Sequence, residues 1–242
     1  VYDAGGNFKR TAIWVVSDGA LGPRIDRAGN IYIAECVKPV GQRYPEHFRG
    51  KLPSVRIDRA GVAQQYAWMY GSIIKFSPAG GAVWFPRVDP ADAYPFDGKA
   101  KLPPGLPEQK IDVTAGTGGK ARTGKLAGAM WSHYGSSFLL DMHPGENRRC
   151  HCTATDFDVD EFGRVFYPDQ GRFRIGVTDT NGNVITHFGR YGNQDAPADD
   201  IAFAWIIGLA ASDRYVYVAD ALNRRVVRVK LAYAATADCP VP

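Results

Sequence analysis

"VYVADALNRRVVRV" (216–229) alternates apolar and polar residues, meets an acid at Asp220, turns, and alternates again with basic residues. That rhythm has the two-residue period of a half-buried β-strand. Its longer form "GLAASDRYVYVAD" (208–220) has two counterparts, "RIDRAGNIYIAE" (24–35) and "DFDVDEFGRVFYPD" (156–169). Each consists of a strand, a tight turn on Gly or Asp, an alternating strand and an acid: Glu35, Asp169 or Asp220. A basic-apolar strand follows in "QGRFRIGV" (170–177) and "ALNRRVVRV" (221–229). A second unit recurs in "VYDAGGNF" (1–8), "KFSPAGGA" (75–82) and "VTDTNGNV" (177–184). There Asp3, Ser77 and Asp179 fall in register, each ahead of a glycine able to take the positive φ of a hairpin turn. The order is strand, turn, strand, acid, strand, turn, strand, which is a repeated four-stranded antiparallel meander.

From Asp169 to Asp220 is 51 residues (220 − 169), close to the roughly 40–50 residues of one propeller blade. The pattern resembles the NHL-repeat family of β-propellers, with "VYVADALNRRVVRV" the fullest match, then "VFYPDQGRFRIGV" (165–177) and "IYIAE" (31–35). The stretch from "CHC" (150–152) to "VKLAYAATADC" (229–239) is similar to bacterial NHL-type proteins with a Cys-x-Cys ahead of a strand. The resemblance covers about half the chain and implies an all-β fold, a β-propeller of NHL type built from four-stranded antiparallel blades. It implies no particular activity, because such scaffolds host many.

Residues 1–242 are read as one propeller domain or segment, with insertions at 36–71 and 86–149. Three blades do not close a ring, so an incomplete ring or part of a six-bladed propeller is expected. Closure would come from sequence upstream of Val1, from strands hidden in 86–140, or from the amino-terminal half-blade meeting the last blade. "RIDRAG" occurs at 24–29 and again at 56–61, where it reads as part of the insertion. The proline-rich stretch 88–110 reads as an extended arm.

Composition is that of a globular chain, 45% hydrophobic and 22% charged, and 27 Gly with 16 Pro favour turns over long helices. The longest apolar run, "FAWIIGLAA" (203–211), is too short for a membrane span. A net charge of +4 is spread among acids rather than clustered, which argues against a nucleic-acid stripe. The chain opens inside patterned sequence without an initiator Met, so a processed precursor or a longer chain is expected.

In a four-stranded blade the residues before the first strand and after the second share one rim of the central channel, the usual ligand face of such folds. Cys36, Cys150, Cys152, His143 and His151 fall there, with Glu35, Asp169 and Asp220. A Cys-x-Cys in extended chain turns both side chains to one side. Cys36 and a histidine could complete a tetrahedral zinc set. The alternatives are a disulfide from Cys36 to one of the pair, with Cys239 taking the other, or free thiols. Zinc or calcium are the ions considered; the absence of Cys-x-x-Cys-His excludes covalent haem. The acids' ordinary role is structural, accepting hydrogen bonds from backbone or from Arg172 or Arg224. Tyr70, Trp131 and Tyr134 are the aromatics that could stack on a ligand at the rim.

"DFDVDEFG" (156–163) fails as a calcium loop because its glycine comes late and its acids alternate with apolar residues; it reads as a strand with one wet face. In "GTGGKARTGKL" (116–126), Leu126 stands where a phosphate loop needs Ser or Thr. With no nucleophile, base and oxyanion donor assembled, the expected function is a non-catalytic binding or scaffold propeller. It would belong to an exported bacterial protein, extracellular or periplasmic, engaging another protein or a larger assembly's subunit. The alternatives are a metal-dependent propeller lyase resembling the peptide-amidating lyase, whose residues do not carry over onto the five histidines here, and an RNA-binding NHL module.

Overall fold

The computed structural model of the chain describes residues 1–15, 21–35, 37–40, 42, 56–57, 63–64, 70–84, 105–113, 122–137, 139–141, 152–154, 156–193, 195–197 and 200–232. In chain order the strands begin with β1 (Ile13–Val15), β2 (Leu21–Ile25), β3 (Ile31–Glu35), β4 (Val37–Pro39), β5 (Arg56–Ile57) and β6 (Ala63–Gln64). Next come β7 (Tyr70–Phe76), β8 (Gly81–Trp84), β9 (Glu108–Val113), β10 (Arg122–Ala127), β11 (Ala129–Ser137), β12 (Leu139–Asp141) and β13 (Cys152–Ala154). The rest are β14 (Asp158–Val159), β15 (Val165–Asp169), β16 (Arg174–Thr178), β17 (Val184–Phe188), β18 (Arg190–Tyr191), β19 (Ala202–Phe203), β20 (Ile206–Ala211), β21 (Tyr215–Asp220) and β22 (Arg225–Lys230).

The fold is all-β, built on antiparallel sheets that follow one another in the chain. A first sheet has the order β11-β7-β3-β2, a second β14-β15-β16-β17 and a third β20-β21-β22. A five-stranded sheet, β1-β8-β10-β9-β4, caps the first. The second sheet is the four-stranded meander that the repeat predicts.

Period-two alternation explains the stacking. On β3, Ile31 and Ile33 enter a core with Val83, Ile111 and Leu126 of the capping sheet, while Tyr32 and Ala34 face Phe157, Val165 and Tyr167 of the second sheet. On β15 the next pair of faces repeats this: Val165 and Tyr167 look back to the first sheet, and Phe166 looks forward to Ile206, Leu209, Val216 and Val218 of the third. Both β3 and β15 are buried along their whole length because each lies between two sheets.

The expected hairpin from 75 to 82 forms its turn but not its pairing. Gly80 N–H donates to the Ser77 carbonyl, yet β8 then pairs in parallel with β1 and antiparallel with β10. The fourth place in the first sheet passes to β11, from within the stretch 86–149. The diversion depends on two missing side chains. Gly80 sits at φ 88, and a Cβ there would overlap the Ala12 carbonyl; a Cβ at Gly81 would overlap the Ala127 carbonyl and the Phe76 ring. Gly80→Ala is therefore expected to lower stability by about 2 kcal/mol or more, through left-handed strain plus the clash. A melting temperature equal to that of the unaltered protein would contradict this account.

The second "RIDRAG" contributes β5, which pairs with β6 in a two-stranded ladder. "DFDVDEFG" is a strand only at Asp158–Val159, and its acids are ion-paired, Asp156 and Glu161 at the solvent and Asp160 buried. Arg24 Nη2 meets Asp156 Oδ2 at 2.5 Å, and Arg24 Nε meets Asp158 Oδ1 at 3.0 Å. Asp158 Oδ2 also accepts from Ala211 N–H at 2.8 Å, so one carboxylate joins first, second and third sheets.

Candidate functional site

The two edges of the stack are built differently. At one edge the strands are joined by tight turns capped by aspartate. Asp26, Asp160 and Asp179 each accept with Oδ1 from the backbone N–H groups two and four residues on. This Asx geometry fixes the turn without help from neighbours. At the same edge Lys75 Nζ crosses from the first sheet to donate to the Thr180 carbonyl (2.9 Å) and hydroxyl (2.7 Å).

At the other edge stand the acids, and there the chain leaves β3, β11 and β17 for the long intervals before β7, β14 and β20. Asp220, 1% exposed, accepts from Ala204 N–H, Trp205 N–H and Asn223 Nδ2, and lies 3.5 Å from Arg225 Nε. Asp169 holds Arg174 Nε at 2.8 Å and Arg172 Nη1 at 3.5 Å. The expected Arg224 is not Asp220's partner. It occupies the left-handed turn position (φ 50), as Phe173 does (φ 54), which leaves Arg225 opposite the acid in register, where Arg174 stands opposite Asp169. Ser72 fills the corresponding place beside Glu35, its hydroxyl donating to the Val37 carbonyl (2.7 Å). Gln170 Oε1 accepts from Ile206 N–H and Asn223 donates to the Gly192 carbonyl, so the turns and the 189–205 connection are knitted together.

Between the first and second sheets lies a polar cluster. His133 on β11 and His187 on β17 both direct Nε2 at the Tyr167 hydroxyl, at 2.9 and 3.4 Å. Tyr167, Gly176 and His187 are lateral neighbours across three strands. The tyrosine ring reaches over Gly176 because nothing stands there; a Cβ would overlap it. Burial above all, then neighbouring His187, pushes the His133 pKa down to about 4, with Asp169 opposing. Burial and the Arg174 guanidinium lower His187 as well. Burial raises the Tyr167 hydroxyl. At neutral pH the cluster is two uncharged imidazoles sharing one phenol. The hydroxyl donates to one ring and accepts from the other, so the rings adopt opposite tautomers. Its signal in the sequence was faint: His133 and His187 occupy outer strands of different sheets, and Gly176 links only His187 to Tyr167.

Of the anticipated site residues, Glu35, Asp169 and Asp220 share the long-connection edge, all buried. Trp131 lies at the tight-turn edge instead, donating Nε1–H to the Thr180 carbonyl (2.9 Å). Tyr134 is opposite Ser72 in register, and burial raises its pKa to about 12. Tyr70 opens β7 and Cys152 opens β13, opposite Asp141. Cys36, His143, Cys150 and His151 lie outside the described residues, and with them the thiol question. Among the described residues no three His, Cys, Asp or Glu side chains are grouped to hold a metal ion, and no helix is long and apolar enough to cross a membrane.

No protein-family model matches the chain, and no curated protein matches it.

Proposed function

We propose that the chain is part of an NHL-type β-propeller acting as a non-catalytic binding module of an exported bacterial protein. Its partner, another protein or a ligand, is engaged at the long-connection edge. The observation that carries the reading is the division between edges. Turns at one edge are closed by their own aspartates, while the other gathers the variable-length connections on a frame of Asp–Arg locks. Recognition in rigid scaffolds concentrates on such connections. The three consecutive stacked sheets and the 51-residue interval between Asp169 and Asp220 support the propeller.

Hydrogen exchange with and without a partner, found by native mass measurement, tests this. Protection is expected across 170–173, 189–193 and 221–224, and none at the turns 26–30, 160–164 and 179–183. A footprint on the turns, or an inert monomer in every condition, overturns the proposal. Export is tested separately by a gel shift on reduction, expected if Cys36 pairs with Cys150 or Cys152.

A further inference from the structure

The polar cluster between the first and second sheets brings three donor atoms together from three strands. His133 Nε2 on β11 stands 2.9 Å from the Tyr167 hydroxyl oxygen on β15, and His187 Nε2 on β17 stands 3.4 Å from it. Donors held about 2.1 Å from one tetrahedral ion lie about 3.4 Å apart. The spacing is therefore already that of a metal's ligands on one side and slightly short of it on the other. Strands hold such groups more firmly than loops do, and all three residues belong to the ladders of the two four-stranded sheets.

We propose that His133, Tyr167 and His187 bind one divalent ion of the copper or zinc kind, and that the ion clips the two sheets together. Two imidazoles and a phenolate suit these metals, whereas calcium and magnesium ask for carboxylate and carbonyl oxygens. On binding, the Tyr167 O–H proton leaves to solvent and an oxygen–metal bond replaces it; no electron is transferred. The ring that accepts from the hydroxyl already offers its Nε2 lone pair, and the other frees its own by moving its proton to Nδ1. The phenolate also answers the local charge. Asp169, two residues along the same face of β15, stands against both Arg172 (3.5 Å) and Arg174 (2.8 Å), so one negative charge is wanting there.

Two further observations point to a ligand. Register places Ser136 opposite Gly71 and His133 opposite Ile73, so both lie on the face of β11 turned to the second sheet. Ser136 is fully buried and its hydroxyl finds no partner among the described residues, a state that buried polar groups rarely keep. A water in the ion's fourth place would give that hydroxyl one. An ion also has a way in: β17 is the last strand of its sheet, His187 is half-buried, and Val184 and Ile185 earlier in the strand are exposed.

Copper(II) sulfate titrated into the whole chain, with any free thiols alkylated beforehand so that they do not compete, tests this. The expected result is a visible phenolate-to-copper charge-transfer band that saturates at a single equivalent. Tyr167→Phe should abolish the band, and His187→Gln should weaken binding at least about tenfold. Circular dichroism establishes that each variant is folded; Tyr167 is buried, and if its variant misfolds, His187→Gln at the half-buried edge decides. No band in the unaltered protein, or a band kept in folded Tyr167→Phe or undiminished in folded His187→Gln, overturns the proposal. Copper binding and the hydrogen-exchange footprint are read on different residues, so neither result decides the other.

Discussion

Asp220→Ala is expected to cost about 3–5 kcal/mol of stability, because it strips a buried carboxylate from donors that are themselves buried or half-buried. Ala204 N–H (3.1 Å), Trp205 N–H (2.9 Å) and Asn223 Nδ2 (2.6 Å) would lose their acceptor, and Arg225 its counter-charge. Each buried donor left alone costs about 1–3 kcal/mol. Asp220→Asn keeps one accepting oxygen but turns an amide NH2 toward a donor, so an intermediate loss is expected. Urea unfolding followed by tryptophan fluorescence measures both. A loss below about 1 kcal/mol for the alanine variant would show that the lock is ornamental.

Acidification should weaken the protein between pH 6.5 and about 4, and His133 is the main reason. In the unfolded chain its imidazole titrates near 6.5, whereas burial and His187 hold it near 4 in the fold. Across that window the unfolded chain binds more protons than the folded one, so stability falls as pH falls. The contribution is complete above pH 6.5 and gone below about 4. A shift of about 2.5 units corresponds to about 3 kcal/mol. His187, lowered too, acts with the same sign. Below this range the carboxylates take over, since Asp3, Asp26 and Asp179 are held below their ordinary values and lose their bonds as they protonate. Urea midpoints at pH 7, 5.5 and 4.5 should therefore decline in the unaltered protein and much less in His133→Gln, which keeps a polar partner for Tyr167 but does not titrate. Equal slopes would remove His133 from the explanation.

The parts of the fold that were legible in the sequence are those decided locally. Alternation in "VFYPD" and "VYVAD" fixes which face each residue buries, and the aspartate-glycine turns close without distant help. The route of β8 was not legible, because the turn at Ser77–Gly80 looks like the others. Its exit is decided by room left for the Ala12 carbonyl, 68 residues earlier (80 − 12). At the candidate site the repeat position of the three acids puts them at one edge of the stack, while the partners expected for them are only partly those observed. Arg172 does approach Asp169, but the left-handed residue in each turn hands the closer contact to Arg174 and Arg225. His133 and His187, weighed in the sequence only among its five histidines, become neighbours only after two sheets stack.

The Asp169 and Asp220 turns hold their strand pairs through four residues each, whereas the first sheet spans the same gap, Glu35 to Tyr70, with 34 (70 − 35 − 1). Chain entropy sets little penalty on added length: each doubling of a loop costs only about 0.6 kcal/mol. That gap is consequently a natural port for foreign polypeptide. A reporter peptide or an epitope could be spliced between Pro39 and Arg56, leaving the ladder Glu35–Ser72 and the pairing of β4 with β9 intact.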